Sequence, residues 1–505
     1  MSATDDARLR AGYDTLPYHG QPRRKTHPDR LAAIATVFGA RPGDMRKARV
    51  LELGCGTGDN IAAIASSLPG SVCIGIDLSP AQIAMGEARA ARAGLTNLRL
   101  IAGNIRDLDT ALGEFDVVIA HGLLSWVPPD LHDTIFAACR RHLAPLGICY
   151  LSYNALPGWH VRQVVRDLML AAAGDAPSEA ERVARGRAAL DLVAEAVAGS
   201  ESGYAKLIAE QRENVRTLSD WHVGHDLMEP FNTAFAFRDV VRRAGAAGLR
   251  FIAEASVDSM FPANYPEKVA ASLRDIPDLI DREERLDVLI NRTFRESIFL
   301  RADTPLAAEP GPAGVVRLAI ASGLTPDSKD APDSPRPLPF RAPNGVQVAI
   351  DGALNKAALF HLRAAWPLAL PFEELLVMSG ASVPKGGLSP ETIRGLAAML
   401  YSAYTKGLIE LHAAQPLFVR EAGELPVANP WARAQAMEGP VVTNLLLDNF
   451  HLDDDTGRKL LPLLDGTRDR GALADALGRG TDSRPAQERI AVALHQLGGA
   501  GLLIA

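Results

Sequence analysis

A short run of acidic and small residues near position 50 has the spacing of a nucleotide-binding turn. The run consists of Glu52 followed by glycines at alternate positions, Gly54, Gly56 and Gly58. It follows an apolar segment, 49–53, and such glycines let the backbone turn sharply against a ligand. A second apolar segment, 72–76, ends in Asp77, where a carboxylate can accept hydrogen bonds from ribose hydroxyls. These residues predict a site for a nucleoside or a dinucleotide.

Polar residues also close the next three predicted strands. The strands are predicted at 98–102, 115–120 and 146–153. The residues that follow or end them are Asn104 with its neighbour Ile105, His121 and Tyr153. In an open α/β sheet the ligand lies at the carboxyl ends of the strands. We therefore expect Asp77 and these polar side chains to converge on one crevice.

The order of residues in the turn separates two kinds of nucleotide site. The dinucleotide fingerprint is GxGxxG, whereas this chain reads ExGxGxG. That spacing resembles motif I of the Rossmann-like (class I) methyltransferases, which use S-adenosyl-L-methionine (SAM). The resemblance implies a SAM site formed by Glu52, Gly54, Cys55, Gly56, Gly58, Asp77, Leu78, Asn104, Ile105 and His121. An acidic residue often stands where Asn104 stands in this family, and an asparagine carbonyl can accept the same bond from the adenine amino group.

Segments outside the turn carry a second resemblance. They are Tyr13–Tyr18, Thr26–Ala32, Phe38–Gly39, Ser152–Trp159 and Arg292–Arg295. These segments are similar to those of bacterial methyltransferases that carry a methyltransferase regulatory domain. That group is similar to bacterial protein-lysine methyltransferases acting on outer-membrane proteins. The resemblance implies a protein substrate, such as an outer-membrane protein before its export.

Methyl transfer from a sulfonium is an in-line displacement, so the enzyme must align the acceptor and exclude water. A lysine acceptor must also be neutral, because an ammonium group has no lone pair. Aromatic side chains around the lysine, with one or two hydrogen-bond acceptors, would suit such a substrate. The candidate residues are Tyr18, His121, Trp126, Tyr153 and Trp159. A lone Trp or Tyr is more often a core residue. Tyr153 and His121 are favoured as orienting or accepting groups because each ends a predicted strand.

Composition limits the class of protein. The 505 residues carry 60 acidic and 53 basic side chains, a net charge of −7, which gives no argument for nucleic acid or an anionic membrane. No apolar run reaches the roughly 18 residues of a membrane span, and the start lacks a signal-peptide pattern. The four cysteines have no CxxC spacing, so no disulfide framework or metal site is predicted. We expect a cytoplasmic protein.

Apolar periodicity predicts an α/β first half and a mostly α second half. Residues 1–48 are expected to cover the cofactor site, and 49–303 to form a seven-stranded methyltransferase sheet. Helical insertions at 161–224 and 266–295 would form a lid on the ligand side. Residues 304–344 are rich in Pro, Asp and Ala and are predicted to be a linker.

The second half contains a repeated pattern of helix, short helix, long helix and a Gly-Leu-Ile strand. It predicts two winged-helix-like units, 345–425 and 430–505, the second ending at its first wing strand. Residues 346–505 hold 14 Lys and Arg against 17 Asp and Glu, a net charge of −3, and helix 390–405 offers only Arg394. DNA binding requires several neutralised phosphates. Protein docking or a homodimer through this half is therefore favoured over a nucleic-acid partner.

Three functions fit these observations. The first is a SAM-dependent methyltransferase acting on protein lysines. The second is a small-molecule N- or O-methyltransferase whose helical insertions enclose a metabolite. The third is a non-catalytic protein that senses SAM, since a sensor would keep the same glycine turn and Asp77.

Overall fold

The computed structural model describes residues 20–306, 310–328, 332–381, 388–478 and 485–505. A twisted sheet organises the first half, with strand order β3-β2-β1-β4-β5-β8-β7 and a two-residue strand, β6, beside the end of β5. Only β8 runs antiparallel to the strands next to it, β5 and β7. The strands are β1 Arg49–Leu53, β2 Val72–Asp77, β3 Leu98–Ala102, β4 Phe115–Ala120, β5 Leu143–Ala155, β6 Ala234–Phe235, β7 Leu249–Glu254 and β8 Phe294–Arg301. The predicted seven-stranded Rossmann-like sheet is confirmed, and β6 was not predicted.

Apolar runs form the central strands because a parallel sheet is buried on both faces. In β4, every residue except Asp116 is buried. The first helices of the domain cover the sheet: α1 Pro28–Val37, α2 Asp59–Ser67, α3 Pro80–Ala93 and α4 His132–His142. Helix α1 begins where His27 Nδ1 accepts the Asp29 amide at 3.2 Å, with Pro28 in the first turn. This cap fixes the first residue of α1.

The first predicted insertion is helical and has an apolar core of its own, formed around Met169, Leu190 and Ile208. It contains α5 Trp159–Ala173, α6 Glu179–Ala196 and α7 Gly203–Thr217, followed by a π-helical turn, Val223–Leu227. Helix α8, Phe237–Ala246, then returns the chain to the sheet.

The second insertion contains α9 Glu267–Arg274 and α10 Leu279–Ile290. It is tied to the sheet by Arg295, whose guanidinium is fully buried and pairs with Asp287, Glu283 and Glu254 at 2.6 to 3.2 Å. Breaking a buried pair of this kind costs about 3–5 kcal/mol. This cluster fixes the start of β8.

The segment predicted as a linker is folded in the described residues. It holds α11 Pro312–Val315, β9 Ala319–Ala321, β10 Thr325–Pro326 and β11 Leu338–Arg341. Strand β9 lies between two later strands, β13 Leu370–Pro371 and β14 Glu410–His412. The linker prediction is wrong here because short buried apolar triplets, such as 319–321, lie among the prolines and aspartates that suggested flexibility.

The two units of the second half follow. The first contains β12 Gln347–Ile350, α12 Ala353–Ala365, α13 Phe372–Gly380 and α14 Pro390–Thr405, as the pattern predicted. The second contains α15 Pro430–Glu438, β15 Val441–Thr443, β16 Asn449–His451, α16 Asp455–Leu460, α17 Arg470–Leu477 and α18 Ala486–Gly499. Asp454 caps α16 by accepting the Gly457 amide at 2.8 Å.

The predicted final wing strand is wrong. Leu503 instead forms an isolated antiparallel bridge with Ala428, and the hairpin β15–β16 lies between α15 and α16. Both halves of the chain pack against each other. Buried side chains from the sheet and from α12–α14 form one apolar core, and α15 contacts α2 and α3. None of the helices in the described part of the chain could span a lipid bilayer.

Candidate SAM site

A cavity of about 470 Å³ lies beyond the carboxyl ends of the sheet strands. The glycine turn after β1 forms one wall. Gly54 has φ of 70°, and a Cβ there would lie 2.8 Å from Leu123 Cδ1. Gly58 has φ of 76° and starts α2, where a Cβ would lie 2.9 Å from Leu100 Cδ2. Glycine is therefore required by both the backbone and the packing.

Most of the residues predicted for the site line this cavity. They are Glu52, Gly54, Cys55, Gly56, Asp77, Leu78, Asn104, Ile105, His121, Trp126 and Trp159. Gly58 shapes the turn without lining the cavity. Tyr18 lies outside the described residues. Burial raises the pKa of the Cys55 thiol, which keeps it protonated and is consistent with a packing role.

Tyr153 does not reach the cavity, so its assignment to the site is wrong. Its side chain is fully buried on the other face of β5, with its hydroxyl 3.1 Å from Ser297 Oγ. Side chains alternate along a strand. The face that points toward the site therefore carries Tyr150, Ser152 and Asn154, and the last of these lines the cavity.

Asp77 connects the two turns that bound the cavity. Its Oδ2 accepts the Gly56 amide at 2.8 Å, and its Oδ1 accepts the Ser79 amide at 2.9 Å. A carboxylate at the end of this strand is the group that accepts ribose hydroxyls in nucleotide-binding α/β sheets. On the next strand end, Asn104 Oδ1 accepts the Arg106 amide at 3.0 Å.

Two buried oxygens at the glycine end have no hydrogen-bond partner in the described residues, Glu52 Oε2 and Gln82 Oε1. Glu52 Oε1 accepts Asn60 Nδ2 at 2.9 Å. Burial raises the pKa of Glu52 to about 8. Buried acceptors without partners are rare in proteins and indicate a donor that is supplied by a ligand. The ammonium group and the ribose hydroxyls of SAM are donors of this kind.

The raised pKa of Glu52 makes the affinity for SAM depend on pH. Neutral Glu52 must lose its proton to face the cofactor's ammonium group, so binding releases a proton below the pKa of about 8. We expect affinity to rise with pH between about 6 and 7.5, by at most about tenfold per unit. Calorimetry in buffers of different ionisation enthalpy measures this release. Glu52→Gln should abolish both the release and the slope; an unchanged slope would contradict the role of Glu52.

A chain of hydrogen bonds crosses the other side of the cavity. Tyr150 Oη donates to Glu296 Oε1 at 2.9 Å and lies 3.0 Å from His121 Nδ1. The second carboxylate oxygen of Glu296 pairs with Lys25. His121 Nδ1 faces two hydroxyls, Tyr150 Oη and, at 3.2 Å, Ser152 Oγ. Because the Tyr150 proton is used on Glu296, the tautomer with a proton on Nδ1 is the one that donates to Tyr150 Oη and continues the chain. His121 Nε2 is then an acceptor without a partner in the described residues.

Burial holds the pKa of His121 at about 3, helped by the positive charges of Arg23 and Lys25. The ring is therefore neutral at any physiological pH. Sequence reasoning missed Tyr150 and Glu296. The two-residue alternation of β5 could have indicated Tyr150, whereas Glu296 depends on β8 pairing with β5, which the sequence does not reveal.

Residues from outside the nucleotide-binding strands complete this side. They come from β5, α5, the π-helical turn and β8: Asn154, Trp159, Arg162, His225, Asp226, Thr293, Phe294 and Glu296. Trp126 Nε1, Trp159 Nε1 and Asn154 Oδ1 are buried without a partner in the described residues. Burial raises the pKa of Asp226, against the charges of His222 and Arg162. Three aromatic rings and two carboxylates thus surround the space that the strand ends leave open.

Three family models match the chain. A "Methyltransferase domain" model matches residues 50–147, a "Predicted methyltransferase regulatory domain" model matches 219–301, and a "PKMT, C-terminal winged helix domain" model matches 424–486. The winged-helix match lies largely in the second predicted unit.

Two curated relatives come from Rickettsia prowazekii (strain Madrid E). Protein RP028 is 32% identical over 232 residues, which are 46% of this chain and 93% of that protein. Protein RP789 is 33% identical over 291 residues, 58% of this chain and 53% of that protein. The match therefore spans about half the length of RP789.

One solved structure matches the whole fold. PKMT2 from Rickettsia typhi superposes with a TM-score of 0.83 at 23% identity, over 97% of this chain and 100% of that chain. A second structure of PKMT2, in complex with AdoHcy, has the same TM-score at 24% identity.

Together with the cavity and its glycine turn, these matches define the class. The chain belongs to the class I SAM-dependent methyltransferases that carry a methyltransferase regulatory domain. The chain thus carries a methyltransferase domain, and SAM is the cofactor of this class.

Proposed function

We propose that this methyltransferase transfers methyl groups to lysine side chains of proteins, with outer-membrane proteins before their export as the substrate class. The observation that carries the proposal is the composition of the open side of the cavity. Trp126, Trp159 and Phe294 provide rings, and Asp226 and Glu296 provide carboxylates. Aromatic faces attract an alkylammonium head, and an apolar wall suits its four-carbon stem.

The chain's own residues can meet the chemical needs of such an acceptor. SAM supplies an electrophilic methyl group on a sulfonium. His121 Nε2 can accept a hydrogen bond from the amine and so orient its lone pair, because the neutral ring presents an acceptor there. Asp226, whose pKa is raised by burial, can take the proton that the acceptor ammonium loses. The rings exclude water from the acceptor.

The second half is proposed to dock the substrate protein. In the described residues, helix α14 contributes Arg394 as its one cation, which argues against phosphate contacts. The similarity to a PKMT winged-helix domain supports a protein partner. Division of the chain at 49–303, 345–425 and 430–505, and a homodimer through the second half, stay predictions in this proposal.

A labelling experiment tests the substrate class. Purified enzyme, tritiated SAM and cell-envelope proteins are expected to give labelled methyl-lysine after acid hydrolysis and amino-acid separation. The Asp77→Ala variant is the matched control for transfer that does not depend on the enzyme. Turnover of a small metabolite with no labelled protein in any fraction would overturn the proposal, and SAM binding without any methyl loss would favour a sensor.

A further inference from the structure

The short segment that precedes α1 touches both the SAM cavity and the second half of the chain. We call residues 20–27 the N-terminal strap. On its inner side, Gly20, Gln21 and Arg23 line the cavity. The strap is held there by Asn60, whose Oδ1 accepts the Arg23 amide at 2.9 Å and Thr26 Oγ1 at 3.0 Å. Since Asn60 also donates to Glu52, the strap and the glycine end of the cavity share one hydrogen-bond network.

On its outer side the strap is held by both units of the second half. Arg24 Nη1 lies 3.0 Å from Asp448 Oδ2, and Arg24 Nη2 pairs with Glu410. Glu410 belongs to β14 of the first unit, and Asp448 precedes β16 of the second. Asn449 Nδ2 adds a bond of 3.2 Å to the Pro22 carbonyl. One arginine thus joins three parts of the chain that are far apart in sequence.

Lys25, the residue after Arg24, pairs on the cavity side of the strap rather than with the second half. Lys25 pairs with Glu296, which accepts the hydrogen bond from Tyr150 in the cavity. Helix α1, which follows the strap, is also held by the first unit of the second half. His412 Nδ1 lies 2.7 Å from Asp29 Oδ2, and the Ala414 amide donates to Asp29 Oδ1 at 2.8 Å. The wall of the SAM cavity is therefore tethered to the second half at several points.

We propose that the second half of the chain positions the part of the SAM cavity that the strap lines. It does so through the ion pairs of Arg24 with Glu410 and Asp448, which we call the clasp. These three are positioning residues, since they act through the strap rather than on the cofactor. The role concerns the cofactor side, so it holds whatever the methyl acceptor is. It assigns the second half a part in forming the SAM site, in addition to any docking of substrate.

Two variants of the whole chain test the clasp from opposite sides, Arg24→Ala and the isosteric double variant Glu410→Gln/Asp448→Asn. Because these variants remove two part-exposed ion pairs, we expect the Kd of SAM and of AdoHcy, measured by calorimetry, to rise about tenfold. The Arg24→Lys variant should recover part of the affinity. At saturating SAM, kcat and the acceptor KM should change by less than about twofold. Hydrogen exchange should accelerate in the strap and not in the sheet.

Arg92 supplies a matched control. It pairs with Glu438 of α15 at 2.5 Å, at a contact between the halves that does not line the cavity. Arg92→Ala should leave the Kd of SAM unchanged. Equal weakening by Arg92→Ala, or a Kd that stays within about twofold in both clasp variants, would overturn the proposal. A melting temperature recorded for every variant separates loss of the clasp from loss of the fold.

Discussion

Asp77→Ala is expected to abolish SAM binding, with Kd rising by at least about 100-fold and methyl transfer lost at physiological SAM. The carboxylate accepts the Gly56 and Ser79 amides at 2.8 and 2.9 Å, so its loss leaves two backbone donors without their partner. A hydrogen bond to a charged group contributes about 1.5–3 kcal/mol, and two such bonds to the cofactor's ribose would be lost as well. Calorimetry with SAM and with AdoHcy measures the change.

A matched control is an aspartate that makes the same kind of local bond on the surface. Asp109 accepts the Ala111 amide at 2.8 Å in an exposed turn. Asp109→Ala should leave SAM binding unchanged. Asp77→Asn, which keeps an acceptor oxygen without the charge, should bind with intermediate affinity. Wild-type affinity in Asp77→Ala would remove Asp77 from the cofactor site.

The SAM-binding side of the site can be predicted from the sequence because each of its residues belongs to a short local motif. Gly54 and Asp77 follow directly from apolar segments whose ends the sequence marks, and the sheet brings consecutive strand ends together. The same locality explains why the central sheet and α12–α14 agree with prediction. Each of these elements depends on periodicity within a single stretch of chain.

The residues on the side of the cavity proposed for the methyl acceptor cannot be predicted from the sequence in this way. The end of the predicted fifth strand favours Tyr153, but side-chain alternation along β5 turns Tyr153 toward Ser297 and presents Tyr150 to the cavity side instead. Glu296 and Asp226 lie far from the glycine turn in sequence, and β8 and the π-helical turn bring them to the cavity. No local pattern marks a residue whose role depends on a long-range strand pairing.

The contacts of the second half illustrate the same limit. The prolines and aspartates of 304–344 indicated a linker, yet β9 pairs with β13 and β14 inside that half. Arg24 is one of three consecutive basic residues in the sequence, and nothing there identifies Glu410 and Asp448 as its partners. Ion pairs between distant segments are consequences of the fold and require the structure.

His121→Ala tests the acceptor side with the largest expected effect on the rate. Loss of the neutral acceptor at Nε2 leaves the amine without its orienting bond, and kcat should fall by about 100-fold. Because His121 also lines the cavity predicted for SAM, the Kd of SAM is measured alongside kcat to separate cofactor binding from the rate. The exposed His495 on α18 provides the control, since His495→Ala should leave both quantities unchanged.

The pH dependence of His121→Ala distinguishes orientation from proton transfer. Because the pKa of His121 is about 3, the ring is neutral above that value and does not titrate where the enzyme is assayed. At saturating SAM, where the ionisation of Glu52 no longer limits cofactor binding, the wild-type rate should therefore rise with pH only as the acceptor amine and Asp226 lose protons. The variant should show the same profile at a lower rate. A wild-type inflection near pH 6.5 that disappears in His121→Ala would mean that His121 itself exchanges a proton in the reaction.

The Tyr150→Phe variant tests the orientation of the His121 ring separately. It removes the hydroxyl that accepts the proton on His121 Nδ1, so kcat should fall without a change in its pH profile.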